Sequence, residues 1–236
     1  MATNASSASP PISPQQKTRG AAFLLYEADD DNIFWLEADG LEETLLGLNY
    51  TVDMYVLEEP GSVDPIEPFK EWLGRMDTDE TVSIVLAYFG HGMVMSDDLG
   101  EPLLVGDLLY EFTSLQEYLR DHGQADALTI VNCCYSGKEL SPRPLDFVPP
   151  VPLRREHRHV ETLAACDGVS MTDGHGFIKR LIPALRVTGK TVKELYNERI
   201  YSAKDRSSPG VYRNELKDGN SQLWGIPDKL RRYGLE

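Results

Sequence analysis

Apolar and polar positions along the chain follow two alternating rhythms. Ala21 to Tyr26 (AAFLLY) is short and almost wholly apolar, the pattern of a strand covered on both faces. After an acidic loop, Leu36, Leu41, Leu45, Leu46 and Leu48 predict a helix, and Tyr50 to Leu57 (YTVDMYVL) predicts a second strand. Asp64-Pro65 reads as an N-cap followed by a first-turn proline, opening a helix through about Arg75. Thr81 to Phe89 (TVSIVLAYF) is the most strand-like segment; a helix is expected near Ser114 to Leu119, and Ala127 to Asn132 (ALTIVN) is the next strand. The stretch from Ser141 to Arg158 changes character, with Pro142, Pro144, Pro149, Pro150, Pro152 and the basic pair Arg154-Arg155, and reads as a linker. Val160 to Ala165 (VETLAA) resumes a strand, and helices are expected at Phe177 to Arg186, kinked by Pro183, and at Thr191 to Tyr201. Thr191 and Glu194 form a capping box, and Gln222 to Ile226 (QLWGI) predicts a last strand.

Strands alternating with helices imply right-handed crossovers and an α/β architecture with a parallel sheet clothed by helices. The elements after the linker continue that sheet, because about 75 residues with so few strands would make a thin core of their own. Residues 1–19, rich in Ser, Pro, Ala and Gln without apolar periodicity, are expected to be a disordered leader.

Composition sharpens this picture. The 236 residues carry 23 Lys plus Arg against 38 Asp plus Glu, a net charge of −15, which argues against a nucleic-acid partner. The charge is uneven: residues 1–140 sum to −20 and residues 141–236 to +5, so the two parts attract. No apolar stretch approaches the roughly 20 residues needed to cross a bilayer, so no membrane partner is expected. Neither is a secretory signal apparent, and a cytoplasmic location is expected. Three cysteines, Cys133, Cys134 and Cys166, make a poor disulfide framework. In a reducing compartment each is kept for packing or for its thiolate.

In an open parallel sheet, ligands gather beyond the carboxyl ends of the strands. One strand runs through Phe89 into Gly90-His91-Gly92, and another through Val131 into Asn132-Cys133-Cys134-Tyr135-Ser136-Gly137. If these strands are neighbours, His91 and Cys134 share one edge of the sheet among glycines that let a peptide backbone approach. A thiol beside an imidazole is the minimum apparatus of cysteine nucleophilic catalysis. A strand-end His or Cys is more often structural, and the combination is what favours chemistry.

Tyr88-Phe89-Gly90-His91-Gly92 resembles the His-Gly motif of the caspase and metacaspase superfamily, and Asn132-Cys133-Cys134-Tyr135-Ser136-Gly137 resembles the Asp-Ser-Cys-His-Ser-Gly motif of metacaspases. Leu41 to Leu57 resembles the first helix and second strand of caspases, and the likeness covers about residues 20 to 226. It implies a caspase-like α/β/α sandwich with a mostly parallel sheet of about six strands. Residues 20–140 correspond to the large subunit, 141–159 to the linker and 160–236 to the small subunit. By the same resemblance Cys134 is the nucleophile and His91 its base, and the backbone N–H groups of Gly92 and Cys134 form the oxyanion hole. Cys133, in the family's serine position, should face away from Cys134 and pack, as should Cys166.

The resemblance also bears on specificity. Aligning Leu41-Glu42-Glu43-Thr44-Leu45 with the caspase helix places Asp31 where caspases carry a pocket arginine; Asp29 and Asp30 adjoin it, and Asp167 ends another pocket-forming strand. An acidic pocket of this kind implies cleavage after Arg or Lys. Metacaspases carry an aspartate where this chain has Asn132, which keeps a hydrogen-bond acceptor and loses the charge. Arg154-Arg155 are candidates for autoprocessing. The implied partners are a polypeptide substrate together with an upstream activator or a second copy of the chain. No cofactor is expected; Ser96-Asp97-Asp98 falls short of the six to eight oxygens that calcium takes, so calcium dependence has no assigned site. His157, His159 and His175 have no ligand-spaced partners and read as surface or loop residues. The departures at Asn132 and Tyr135 keep a catalytically silent caspase-like interaction module as the alternative, with a thiol hydrolase outside this superfamily as a third reading.

Overall fold

The computed structural model describes residues 20–57, 64–77, 81–94, 103–106, 109–137, 159–166, 175–202, 204, 209–214 and 224. Six strands form the central sheet: β1 (Gly20–Glu27), β2 (Tyr50–Leu57), β3 (Ser83–Phe89), β7 (Asp126–Asn132), β8 (Val160–Ala164) and β9 (Val211–Asn214). Their order is β2-β1-β3-β7-β8-β9, and every pairing is parallel except that of β8 with β9. A small antiparallel sheet follows the end of β3, built from β4 (Gly92–Met93), β5 (Leu104–Val105) and β6 (Tyr110–Glu111). Neither this sheet nor β9 is foreshadowed by hydrophobic pattern, because two-residue strands have no period and β9 (VYRN) is only half-buried.

Alternation along each strand sorts the core into two layers. Ala22, Leu24, Val85, Ala87, Phe89, Leu128 and Ile130 face α1 (Ile33–Gly47), α4 (His175–Leu185) and α5 (Val192–Leu195). Ala21, Phe23, Leu25, Ile84, Leu86, Tyr88, Ala127 and Val131 face α2 (Ile66–Met76) and α3 (Phe112–His122). Helices therefore cover both faces of the sheet, as apolar, nearly unalternating strands require.

The helix ends follow from local chemistry. α2 begins one residue later than expected, with Pro65 rather than Asp64 as its N-cap, and Asp64 just before it accepts the Ile66 N–H at 2.9 Å. Thr191 and Glu194 complete the capping box of α5, which runs on into a π-helical turn at Tyr196–Ile200. In α1 the buried stripe is Glu37, Ala38, Leu41, Thr44 and Leu45, whereas Leu36 and Leu46 fall off it and are exposed, contrary to the core role their apolarity suggests. Asn49, in the left-handed region at φ 62°, turns the chain from α1 into β2.

β7 and β8 lie side by side in parallel register, Ala127 against Val160, so the parts before and after the Pro-rich stretch share one sheet. That stretch, with Arg154 and Arg155, lies outside the described residues, as does the expected leader. Of the last strand expected at Gln222 to Ile226, only Trp224 is described; it sits in a bend, buried, stacked on Tyr50 and donating its indole N–H to the Leu185 carbonyl at 2.6 Å. Among the described residues no helix is long and apolar enough to cross a membrane.

Candidate active site

The register of β3 against β7 brings the two motifs together. Phe89 lies opposite Asn132, so His91 and Cys134, each two residues further on, leave adjacent parallel strands at the same level. Such strands run about 4.8 Å apart. The Gly90 N–H donates to the Asn132 carbonyl at 3.3 Å, continuing the contact past the ladder. At Gly92 the two loops touch: a Cβ there would overlap the Cys134 carbonyl oxygen and stand 2.6 Å from the Cys133 sulfur, so only glycine fits.

Beneath His91 lies a buried polar network. Glu27, at the end of β1, accepts the His91 N–H at 2.7 Å. The Tyr88 hydroxyl donates to the His91 carbonyl at 2.7 Å, accepts the Gly106 N–H at 3.1 Å, and lies 3.3 Å from the Glu27 carboxylate. Burial, then the neighbouring Cys133 and Glu27, push the Tyr88 hydroxyl well above its usual range, so it remains a donor. The backbone of His91 is thus tied at both its N–H and its carbonyl. Its imidazole is exposed and meets the Phe34 ring edge-on, with centroids 5.1 Å apart.

Cys134 is half-buried in the turn that follows β7, and Tyr135 after it adopts φ 57°, a sharp reversal that leads into a short helical turn at Ser136-Gly137. Cys133 is buried among the side chains of the α2 and α3 layer. Cys166, just past β8, is fully buried; its N–H donates to the Ser136 hydroxyl at 3.1 Å and its thiol lies 3.5 Å from the Cys133 carbonyl. Burial pushes the Cys166 thiol up, which keeps it neutral and unreactive. All three cysteines are unbridged.

On the other face, Asn132 points toward α1 and α4. Its Nδ2 donates to Glu37 Oε2 at 2.7 Å, and His175 Nδ1, on the first residue of α4, meets Glu37 Oε1 at 2.9 Å. Burial raises the Glu37 carboxyl above its ordinary range, while His175 and Asn132 act in the opposite direction. Asp29 accepts the Ile33 and Phe34 N–H groups at 2.9 and 3.3 Å and so caps α1, and Asp31 is exposed in the turn before that helix. Asp167, Ser96, Asp97, Asp98 and His157 lie outside the described residues. His159 is at the opposite end of the sheet, its N–H bonded to Asp126 at 2.9 Å, whereas His175 is drawn into the site and is not merely a surface histidine. Among the described residues no three His, Cys, Asp or Glu side chains gather as a metal-ligand set.

Glu27 and Glu37 are absent from the motif-based reading, and Tyr88 enters it only as the first residue of the His-Gly motif, with no role assigned. A sequence signal existed for the acids: Glu27 closes an otherwise apolar strand, and Glu37 precedes Leu41 by four residues on the buried stripe of α1.

Several solved structures share this architecture. Caspase-1 from Spodoptera frugiperda superposes with a TM-score of 0.53 over 88% of this chain and 94% of its own, at 15% identity. The fold is caspase-like. Protein GSU0716 from Geobacter sulfurreducens gives a TM-score of 0.58 over 87% of this chain and 97% of its own, at 11% identity. No family model and no curated protein matches the sequence. At such identities the caspase likeness carries the fold, and activity rests on the residues at the sheet edge.

Proposed function

We propose that this chain is a caspase-like cysteine endopeptidase that cleaves after Arg or Lys, with Cys134 as nucleophile and His91 as its base. The observation that carries the reading is the parallel register of β3 and β7, which puts His91 and Cys134 each two residues past the ends of neighbouring strands, with their loops in contact at Gly92. In this reading His91 takes the thiol proton and the Cys134 sulfur attacks the scissile carbonyl. The oxyanion is held by the N–H groups of Gly92 and Cys134. The intermediate collapses as His91 returns the proton to the departing amine, leaving a thioester that water hydrolyses with His91 again as base. Glu27 and Tyr88 support this by fixing the His91 backbone.

Self-cleavage after Arg154 or Arg155, an upstream activator or homodimerisation, a cytoplasmic location and a regulatory or cell-death role belong to the same proposal. The test is labelling with electrophilic peptides ending in Arg, Lys or Asp, alongside Cys134→Ala and His91→Ala. Labelling is expected at Cys134, fastest with Arg or Lys, and abolished or strongly slowed in the two variants. No labelling at Cys134 under any reductant, calcium level or pH would overturn the peptidase reading in favour of an interaction module, and labelling at Cys133 would show that the motif register is wrong.

A further inference from the structure

We propose that Glu37 is the group that binds the basic side chain of the substrate, and that His175 is its built-in competitor. This rests on the peptidase reading above and transfers the specificity role from the acidic turn before α1 to a buried carboxylate. Glu37 is only 7% exposed, yet it reaches the last residue of β7, two positions before Cys134. Its Oε2 takes the amide N–H of Asn132, which leaves the other atom of that amide, Oδ1, buried with no hydrogen-bond partner among the described residues. Two acceptors therefore lie together two positions before Cys134: the Glu37 carboxylate and the Asn132 oxygen. A buried acceptor without a donor is unfavourable, so the pair is made for a donor that comes from outside.

In the free protein His175 serves only the Glu37 carboxylate and leaves Asn132 Oδ1 without a donor among the described residues. Its side chain is 49% exposed while Glu37 is buried, so the imidazole approaches from solvent and covers the carboxylate with a single N–H. A guanidinium presents five N–H groups in a planar fork and can serve Glu37 and Asn132 Oδ1 together. Arginine thus replaces the His175 contact and adds one that His175 does not make. The same geometry accounts for Asn132 standing where metacaspases carry an aspartate: the charge comes from α1, and Asn132 orients it. The groups facing Glu37 are His175 from α4, Asn132 from β7 and Asp29 from the turn before α1. Burial holds the Glu37 carboxyl above its ordinary range, so lowering the pH neutralises it and weakens arginine binding.

Two measurements test this separately from the peptidase reading. Calorimetric titration of Cys134→Ala protein with a peptide ending in arginine should show binding that Glu37→Gln weakens about 100-fold, with a citrulline-ending peptide bound weakly by both proteins. His175→Ala should tighten arginine binding several-fold, and circular dichroism should be unchanged in each variant. Absence of arginine-peptide binding, or binding indifferent to Glu37→Gln, overturns the proposal even if Cys134 is labelled by other peptides. Glu37-dependent arginine binding without labelling of Cys134 upholds it and sinks the peptidase reading instead.

Discussion

Gly92 is the residue on which the site closes, since its α-carbon lies where the His91 and Cys134 loops meet. Gly92→Ala forces one loop away from the other; it should cost about 1–3 kcal/mol of stability and lower kcat far more than it raises KM, as chemical denaturation and peptide kinetics will show. The cysteines differ in the same local way. Alkylation of the native protein with iodoacetamide, mapped by mass spectrometry, should modify Cys134 and spare Cys133 and Cys166, which are 2% and 0% exposed. All three should react after denaturation. Because burial raises the folded-state pKa of Cys166, its neutral form stabilises the fold below its unfolded pKa, and that contribution is lost as pH rises through the folded value. The stability deficit of Cys166→Ala relative to wild type should therefore shrink above pH ~9, measured by denaturant midpoints.

Among the elements, α1 does the most varied work. Its stripe of Ala38, Leu41 and Leu45 packs on the sheet, its first turn places Phe34 against His91, and Glu37 on that stripe meets Asn132 and His175. A helix that joins the core to two parts of the site tolerates little rotation, because one residue of slip moves every stripe position by about 100°. Trp224 performs the corresponding task for β2 and α4, stacking on Tyr50 and bonding the Leu185 carbonyl. Trp224→Ala should cost about 3–5 kcal/mol, read as a lower denaturant midpoint with unchanged slope, without altering labelling at Cys134 in the folded protein.

Across the whole molecule, the −20 and +5 parts are joined by the pairing of β7 with β8 and by the apolar layer around it. Salt at 1 M shortens the screening length to about 3 Å and leaves packing intact. A protein produced as two polypeptides, divided between Arg154 and Arg155, should therefore elute as one species in 1 M salt. Dissociation there would show that charge, rather than the shared sheet, holds the parts.

The strand and helix periods determined the α/β layers, and two strand-end motifs set a histidine and a cysteine each just past the end of a strand; that those two strands are neighbours was decided by the tertiary structure. The motifs are local: Phe89-Gly90-His91 and Asn132-Cys133-Cys134 each advertise themselves by an apolar run ending in small or reactive residues. The role of Glu37 is not local, since its partners Asn132 and His175 are 95 and 138 positions away along the chain and meet it only when α1, β7 and α4 close on one another. The same holds for Glu27 beneath His91 and for β9 on β8. Pattern fixes which face of an element is buried; which buried groups touch is decided by register and packing, and only the tertiary structure supplies those.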